Sequence, residues 1–180
     1  MVVDYGGEEL AFMQQQIEGA LGKITLVEDA LRHNVKTSYG LGVNDIIDHG
    51  MQQLRQSIDE SVLAFQLKTG SQPRPLKIVE SWVNDYAHGG YMSEHEHPGN
   101  VISGVYYHQA DEQAGSLWFR NPNALMLNGH WPGVDVNHYQ NIPVPTQEGR
   151  LILFPSWLAH SVGTVLSKDK HKISISFNLQ

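Results

Sequence analysis

From residue 76 onwards the sequence is a succession of short segments rich in β-branched and aromatic residues. Such segments favour β-strands, and the Gly, Pro and Asn residues between them favour turns. A further short strand is predicted around His95 and His97. The other segments that follow this pattern lie at 76–83, 101–107, 116–120, 141–144, 150–154, 161–166 and 172–178. About eight short strands indicate a double-sheet arrangement.

The residues before this region predict helices instead. After a candidate N-cap at Asn44 or Asp45, apolar side chains recur at steps of three and four residues, at Ile47, Met51, Leu54, Ile58, Val62 and Phe65. A weaker pattern predicts a helix over 8–20, and two prolines within 73–75 end the helical part. The sequence therefore predicts a mainly β fold with N-terminal helices, in which a double-stranded β-helix (a cupin-like jelly roll) is buttressed by helix.

Length and composition set limits on organisation. A chain of 180 residues with 41% hydrophobic residues is long enough for one compact domain and short for two. We expect a single domain over 1–180, with a helical part over 1–75 that packs on a β core over 76–180. The absence of cysteine excludes disulfides, thiolate catalysis and zinc–thiolate sites.

The charge balance limits the partners. The formal net charge is −7, and the 12 Lys and Arg residues are scattered, so we expect no nucleic-acid partner. Neither a signal peptide nor a run of 18 apolar residues is visible. We therefore expect no membrane partner and a cytoplasmic location.

The segment 172–178 has two different faces. Alternate residues of a strand point to opposite sides, so Ile173, Ile175 and Phe177 form an apolar face. The other face is polar and carries Lys172, Ser174, Ser176 and Asn178. This pattern fits either a strand between a packed helix and a polar cavity or an ordinary strand with one wet face.

Three histidines predict a metal site. Residues i and i+2 of a strand share a face, so His95 and His97 can bind one ion together. Pro155 ends a later strand, and His160 then begins the next one, from which it would supply a third imidazole.

Two alternatives concern the ligand set. A carboxylate from Glu94, Glu96 or Asp111 could replace one imidazole, although strand alternation turns both glutamates away from the face of the histidines. The remaining candidate histidines are expected to be solvated or structural rather than metal ligands, namely His88, His108, His130 and His138.

Several blocks of the sequence occur in the same order in a known family. The segment 95–107, with Ser-Gly-Val-Tyr-Tyr at 103–107, and the Gly-Ser-Leu-Trp-Phe-Arg-Asn-Pro segment at 115–122 resemble the 2-oxoglutarate- and Fe(II)-dependent oxygenases of bacteria and phages. The closing block over 148–162 and the Ile-Ser-Ile-Ser-Phe-Asn segment at 173–178 are similar to that family almost throughout. The resemblance covers roughly 82–178.

The resemblance implies a prolyl-hydroxylase-like double-stranded β-helix that holds Fe(II) by a facial set of ligands, with positions open for 2-oxoglutarate and O₂. His95 would be the first ligand and His160 the distal one. The related enzymes have His-x-Asp at the first position, and His97 occupies the place of the aspartate. A neutral imidazole leaves one more positive charge on the metal centre than a carboxylate does.

The cosubstrate 2-oxoglutarate needs a cation for its distal carboxylate. Lys172 corresponds to the basic residue that the superfamily places on the strand after the distal histidine, and a surface lysine is the alternative interpretation. Arg150 is the second candidate, because its planar guanidinium suits a carboxylate. The further candidates for contacts with the cosubstrate are Tyr107, Ser174 and Asn178.

The function implied by the resemblance is that of a dioxygenase, an oxidoreductase that hydroxylates an unidentified small-molecule or peptide substrate and releases succinate and CO₂. One alternative is a three-histidine cupin dioxygenase that does not use 2-oxoglutarate, and another is a non-enzymatic β-domain stabilised by metal. The segment 121–140 is long enough to form a lid. An exposed sheet edge would allow a homodimer, and the cytoplasm would be that of a host if the protein is viral.

Overall fold

The computed structural model describes residues 1–41, 46–123 and 140–180. Within these ranges lie two α-helices, α1 at Gly7–Leu21 and α2 at Gln52–Lys68, and a 3₁₀ helix at Ile47–His49. The strands in chain order are β1 Val2–Asp4, β2 Val27–Glu28, β3 Val35–Thr37, β4 Ile78–Tyr86, β5 Met92–His95, β6 Ile102–Gln109, β7 Leu117–Arg120, β8 Asn141–Val144, β9 Arg150–Pro155, β10 His160–Val162 and β11 Lys172–Leu179.

The strands form two antiparallel sheets. The major sheet has the order β1-β9-β6-β11-β4-β3-β2, and the minor sheet has the order β5-β10-β7-β8. Apolar side chains of the two sheets pack against each other, including Val105, Ile152 and Phe154 from the major sheet and Leu117 and Phe119 from the minor one. The predicted fold class, a mainly β double-stranded β-helix with helices on its outside, is confirmed.

The helices cover the outer face of the major sheet. Residues of α1 and α2 form one apolar core with outward-facing residues of the central strand β11, and the shared cluster includes Met13, Ile17, Leu54, Ile58, Ile175 and Phe177. The opposite face of β11 is polar and turns toward the minor sheet, where Lys172 and Ser174 line a cavity. The first of the two interpretations of the segment 172–178 is therefore correct.

The N-terminal part is more mixed than the sequence analysis predicted. The predicted helix over 8–20 is α1. The second predicted helix is broken, because Gly50 has a φ of 120°, which ends the 3₁₀ turn, and α2 begins only at Gln52. The strands β1, β2 and β3 were not predicted, and they extend both edges of the major sheet. The candidate caps Asn44 and Asp45 lie outside the described residues.

Two further expectations concern the outside of the molecule. None of the described helices combines the length and the apolar character needed to cross a membrane. Most of the predicted lid, residues 124–139, lies outside the described part of the chain together with His130 and His138.

Gly104 allows the centre of the major sheet to pack, and its replacement is expected to destabilise the fold. A Cβ at Gly104 would overlap the ring of Phe177 and lie 2.8 Å from Cδ2 of Leu153. Such overpacking costs typically about 1–3 kcal/mol, so Gly104→Ala is expected to lower the free energy of unfolding by about that amount in urea titrations. The control is Gly19→Ala in α1, where no atom lies within 4 Å of the added Cβ. An unchanged midpoint for Gly104→Ala would contradict the tight packing.

Candidate active site

The three predicted histidines meet at one end of the minor sheet. His95 ends β5, His160 begins β10 directly opposite it in the register, and His97 follows two residues after His95. One potential ligand atom from each histidine lies within 4.8 Å of the other two. The ring centroids are 4.2 Å apart for His95 and His160 and 5.1 Å apart for the other two pairs. In the described part of the chain, no second such group of His, Asp or Glu side chains occurs.

Hydrogen bonds set the tautomer of two of these rings. Nδ1 of His95 lies 2.9 Å from the carbonyl oxygen of Ser93, and Nδ1 of His160 lies 2.9 Å from that of Leu158. A carbonyl only accepts, so each Nδ1 carries the proton and each Nε2 keeps its lone pair. A histidine held in this way is suited to binding a metal ion through Nε2.

Burial keeps the three rings neutral. The pKa of each of the three histidines is lowered, mainly by desolvation. The pKa falls to about 4 for His97 and to about 3 for His160. His160 is 4% exposed and packs against the ring of Phe154, with centroids 4.6 Å apart. Neutral imidazole is the form that binds a metal ion, so the site requires no deprotonation at neutral pH.

The carboxylates considered as alternative ligands are not brought into this cluster. Glu94 accepts a hydrogen bond of 2.7 Å from Nε of Arg120, and Glu96 is exposed. Oδ1 of Asp111 accepts a hydrogen bond from the backbone of Gln113 in its own turn. The residues described therefore offer a set of three imidazoles.

A cavity extends from the histidines between the two sheets. Alternate residues of the neighbouring strands β11 and β4 line this cavity. In the register, Lys172 lies opposite Tyr86, Ser174 opposite Asn84 and Ser176 opposite Trp82. Tyr107 of β6 lies opposite Ser174 and completes this wall. Two of the predicted cosubstrate residues besides Lys172, namely Tyr107 and Ser174, are thus placed in the cavity.

Lys172 is the unusual residue of this cavity. Its side chain is completely buried, and its Nζ has no hydrogen-bond partner among the described residues. Nζ lies 4.7 Å from the centre of the Tyr86 ring, and burial lowers the pKa of Lys172 to about 7. A buried cation without an anionic partner is costly, so Lys172 would be stabilised by an anion bound in this cavity.

The remaining predicted cosubstrate residues lie elsewhere. Arg150 forms hydrogen bonds of 2.6 and 2.9 Å with the carboxylate of Asp4, away from the cavity. Asn178 is fully buried, and its Nδ2 lies 3.4 Å from Nδ1 of His97. The structure therefore does not bring Arg150 to the cavity, and it places Asn178 beside a histidine.

Tyr86 is the cavity residue that the sequence analysis missed. The signal was present, because Trp82, Asn84 and Tyr86 alternate along a single strand in the same way as the polar face of β11. Burial raises the pKa of Tyr86 and of Tyr107, so both phenols remain protonated and can donate hydrogen bonds to an anion.

The other two candidate histidines in the described ranges, His88 and His108, have separate environments. Nδ1 of the exposed His88 lies 3.2 Å from the carbonyl oxygen of Leu166. His108 is buried on β6, and desolvation lowers its pKa. Neither residue belongs to the group of potential metal ligands.

Comparisons with solved structures agree with the fold. The chain resembles a 2OG-Fe(II) oxygenase family oxidoreductase from Burkholderia pseudomallei, with a TM-score of 0.67 and 12% identity over 99% of this chain and 84% of that one. It also resembles HygX from Streptomyces hygroscopicus with nickel, 2-oxoglutarate and hygromycin B bound. The TM-score is 0.64, with 12% identity over 99% of this chain and 81% of that one.

A third similar structure is a prolyl hydroxylase from Trichoplax adhaerens in complex with a hypoxia-inducible factor peptide fragment. Its TM-score is 0.66, with 15% identity over 99% of this chain and 82% of that one. At such identities the likeness shows the fold alone. No curated protein sequence matches the chain significantly.

The family assignment comes from the sequence. The family model described as "Putative 2OG-Fe(II) oxygenase" matches residues 80–178, which is more than half of the chain. The matched segment contains all three histidines of the cluster and the buried Lys172. The chain therefore belongs to the 2OG-Fe(II) oxygenase family and is an oxidoreductase.

Proposed function

We propose that this protein is an Fe(II)- and 2-oxoglutarate-dependent dioxygenase that hydroxylates a small-molecule or peptide substrate and releases succinate and CO₂. His95, His97 and His160 would hold the iron, and Lys172 would bind the distal carboxylate of 2-oxoglutarate. The single observation that carries this proposal is that a cluster of three imidazoles and a buried, unpaired ammonium line one cavity.

The donor set suits the proposed metal. Imidazole nitrogen is a good ligand for iron, and a three-ligand site leaves coordination positions open, whereas structural metal sites are usually closed by four protein ligands. 2-Oxoglutarate carries a second carboxylate away from the end that would bind the metal, and the buried Lys172 in the same cavity suits that carboxylate. Lys172 therefore favours the 2-oxoglutarate-dependent reaction over the three-histidine cupin reaction.

When bound, the iron would activate O₂, so that 2-oxoglutarate, O₂ and the substrate C–H group give succinate, CO₂ and an alcohol. The protein's own part is to position the reactants. Lys172 would pair with the distal carboxylate, and the protonated phenols of Tyr86 and Tyr107 would donate hydrogen bonds nearby. Apolar neighbours of the metal site, among them Leu117 and Val162, would exclude water.

The substrate class is proposed from similar structures. HygX has hygromycin B bound, and the Trichoplax adhaerens enzyme has a peptide fragment bound. Trp82 lies between the exposed ring of Tyr39, at 5.1 Å, and the ring of His97, at 5.9 Å. This row of aromatic rings leads from the surface to the metal site and offers a wall for a substrate of either kind.

The direct test is product formation. Protein loaded with Fe(II) under anaerobic conditions and then exposed to O₂ is expected to convert 2-oxoglutarate to succinate, measured by mass spectrometry. Omission of iron or of O₂ serves as the control. No succinate, together with no 2-oxoglutarate binding by the metal-loaded protein, would overturn the proposal.

The affinity for 2-oxoglutarate is expected to depend on pH through Lys172. Because burial lowers the pKa of Lys172 from 10.5 to about 7, the amine is largely neutral above pH 8 and must take up a proton to bind the dianion. The Kd for 2-oxoglutarate is expected to rise about 100-fold between pH 6 and pH 9, measured by calorimetry on Ni(II)-loaded protein.

Lys172→Arg is the matched control for this titration. A guanidinium stays protonated over the whole range, so any binding that this variant retains should not change with pH. A pH-independent Kd of the wild-type protein between pH 6 and pH 9 would show that Lys172 does not bind the cosubstrate as a titrating group.

A further inference from the structure

The face of β4 that carries Trp82, Asn84 and Tyr86 continues past the cavity to Glu80. Residues two apart on a strand point the same way, so the side chain of Glu80 lies on the same side of the major sheet as Trp82. The hydrogen bonds agree with this direction, because Glu80 lies opposite Asn178 and accepts from its Nδ2 at 2.5 Å. Glu80 thus ends this row of side chains at the opposite end from Tyr86.

Glu80 lies close to the three histidines without belonging to their group. Nδ2 of Asn178, which donates to Glu80, also lies 3.4 Å from Nδ1 of His97, so one amide group separates the carboxylate from the cluster. The ring of Trp82, two residues along β4, lies 5.9 Å from the ring of His97. A substrate that reaches the metal site past His97 therefore has Glu80 and Trp82 as neighbours.

The carboxylate of Glu80 has no cationic partner in the parts of the chain that the structure describes. Its side chain is only partly buried, so a bound molecule can reach it. The cations near the histidines have acidic partners of their own: Arg32 pairs with Asp29, and Arg120 pairs with Glu94. Glu80 is therefore a carboxylate that is accessible to a positive charge from outside the described chain.

An aromatic surface adjoins this carboxylate. The ring of Tyr39 meets that of Trp82 edge to face, with centroids 5.1 Å apart, and Tyr39 is 53% exposed. The faces of aromatic rings attract ammonium and guanidinium groups, and a nearby carboxylate adds a charge-assisted hydrogen bond. Glu80, Trp82 and Tyr39 together offer the two kinds of contact that bind an organic cation.

The charge of the loaded metal site allows a cation to approach. Three neutral imidazoles leave the charge of a divalent ion uncompensated, and the two carboxylates of 2-oxoglutarate then neutralise it. The combination of ion and cosubstrate therefore does not repel a positive group. At longer range, the formal net charge of −7 on the chain attracts one.

We infer that the substrate carries an ammonium or guanidinium group, which binds Glu80 and packs against Trp82 and Tyr39. The inference rests on the proposed function, because it names the substrate class of the same site. The carrier of this charge is either a basic side chain of a peptide or a small free amine. Probes of both kinds distinguish these two sources.

The test is binding of cationic probes to protein loaded with Co(II) and 2-oxoglutarate, followed by NMR of the probe signals. The peptide probes are acetyl-Ala-Lys-Ala-amide and acetyl-Ala-Arg-Ala-amide, each compared with a neutral peptide that has acetyl-lysine or citrulline instead. The small probe is n-pentylamine, compared with n-pentanol. At least one cation is expected to bind about tenfold more tightly than its neutral counterpart, the usual size of a contact with a charged group. The paramagnetic Co(II) is expected to shift and broaden its signals, because the bound probe lies beside the metal site.

Glu80→Gln and Tyr39→Leu test the two kinds of contact separately. Glu80→Gln keeps an acceptor oxygen for Asn178 and removes the charge, so it is expected to abolish the preference for the cationic probe. Tyr39→Leu keeps an apolar side chain and removes the ring, so binding of the cation is expected to weaken about threefold. Neither variant is expected to change the affinity for 2-oxoglutarate, which shows that the protein remains folded and loaded.

Glu96→Gln is the matched control for Glu80→Gln. Glu96 is an exposed carboxylate next to His97, but it follows the end of β5 and lies outside the row on β4. Its replacement removes the same charge from the surface, and it is expected to change the affinity for the cationic probes by no more than about twofold.

The outcomes separate this inference from the proposed function. If the loaded wild-type protein binds no cationic probe more tightly than its neutral counterpart, or if Glu80→Gln keeps the preference, the inference is wrong and the proposed function stands. An equal loss in Glu96→Gln would also overturn it, because general surface charge would then explain the preference. If the protein with Co(II) binds no 2-oxoglutarate, the proposed function itself fails, and this inference fails with it.

Discussion

Replacing Lys172 by methionine is expected to remove 2-oxoglutarate binding and, at the same time, to make the ligand-free protein more stable. Truncating one partner of a buried charge pair typically costs about 2–5 kcal/mol of binding energy, which corresponds to a Kd weakened by at least about 30-fold. Methionine fills a similar volume without a charge. Calorimetry with Ni(II)-loaded protein would measure the affinity, and succinate formation is expected to fall in parallel.

The gain in stability follows from the same burial. The ammonium of Lys172 has no partner among the described residues, and desolvation lowers its pKa from 10.5 to about 7. Below pH 7 the folded protein must therefore hold a buried cation, a penalty that disappears as the pH rises toward 10.5. Lys172→Met is expected to raise the Tm most at pH 7 and below, by several degrees, since about 1 kcal/mol shifts Tm by about 2–4 °C in a chain of this size.

Lys170→Met provides a matched control. Lys170 lies two residues before Lys172, ahead of β11, but it is partly exposed and pairs with Glu148 at 2.9 Å. We expect no change in 2-oxoglutarate affinity and little change in Tm, because surface ion pairs contribute about 0–1 kcal/mol. If Lys172→Met lowered the Tm and left the affinity for 2-oxoglutarate unchanged, the lysine would have a structural role.

Local patterns in the sequence predicted the parts of the site that a single strand defines. Alternation along the segment 172–178 placed Lys172 and Ser174 on a polar face, and β11 has this arrangement in the centre of the major sheet. The i, i+2 spacing of His95 and His97 likewise predicted a shared direction, and His160 lies opposite His95 in the register. The alternation along β11 needed only the two-residue repeat of a strand. For the histidines that reasoning was right about the cluster but not about the strand, because β5 ends at His95 and His97 joins the cluster from just beyond it.

Contacts between distant parts of the chain could not be predicted in this way. Arg150 was a sound candidate for a carboxylate, and it does bind one, but the partner is Asp4, which the unpredicted strand β1 brings next to β9. The buried contacts of Asn178 with Glu80 and Ser103 depend on the register of three strands. Nothing in the short segment around residue 80 indicates that Asn178 lies beside it.

Metal binding is expected to require all three histidines. Removing one of only three ligands takes away a direct bond to the ion, so His95→Ala, His97→Ala and His160→Ala should each weaken Co(II) binding by over about 100-fold. His97→Ala is the informative variant, because His97 stands where related enzymes have a carboxylate. Chelator competition with Co(II) would measure all three affinities.

Glu94→Gln is the matched control for the ligand set. Glu94 is adjacent to His95, but its carboxylate accepts a hydrogen bond from Arg120 and lies outside the three-histidine group. Its replacement is expected to leave Co(II) affinity within about twofold. If Glu94→Gln abolished binding and His97→Ala did not, the third ligand would be a carboxylate after all. The neutral three-imidazole site would then be wrong.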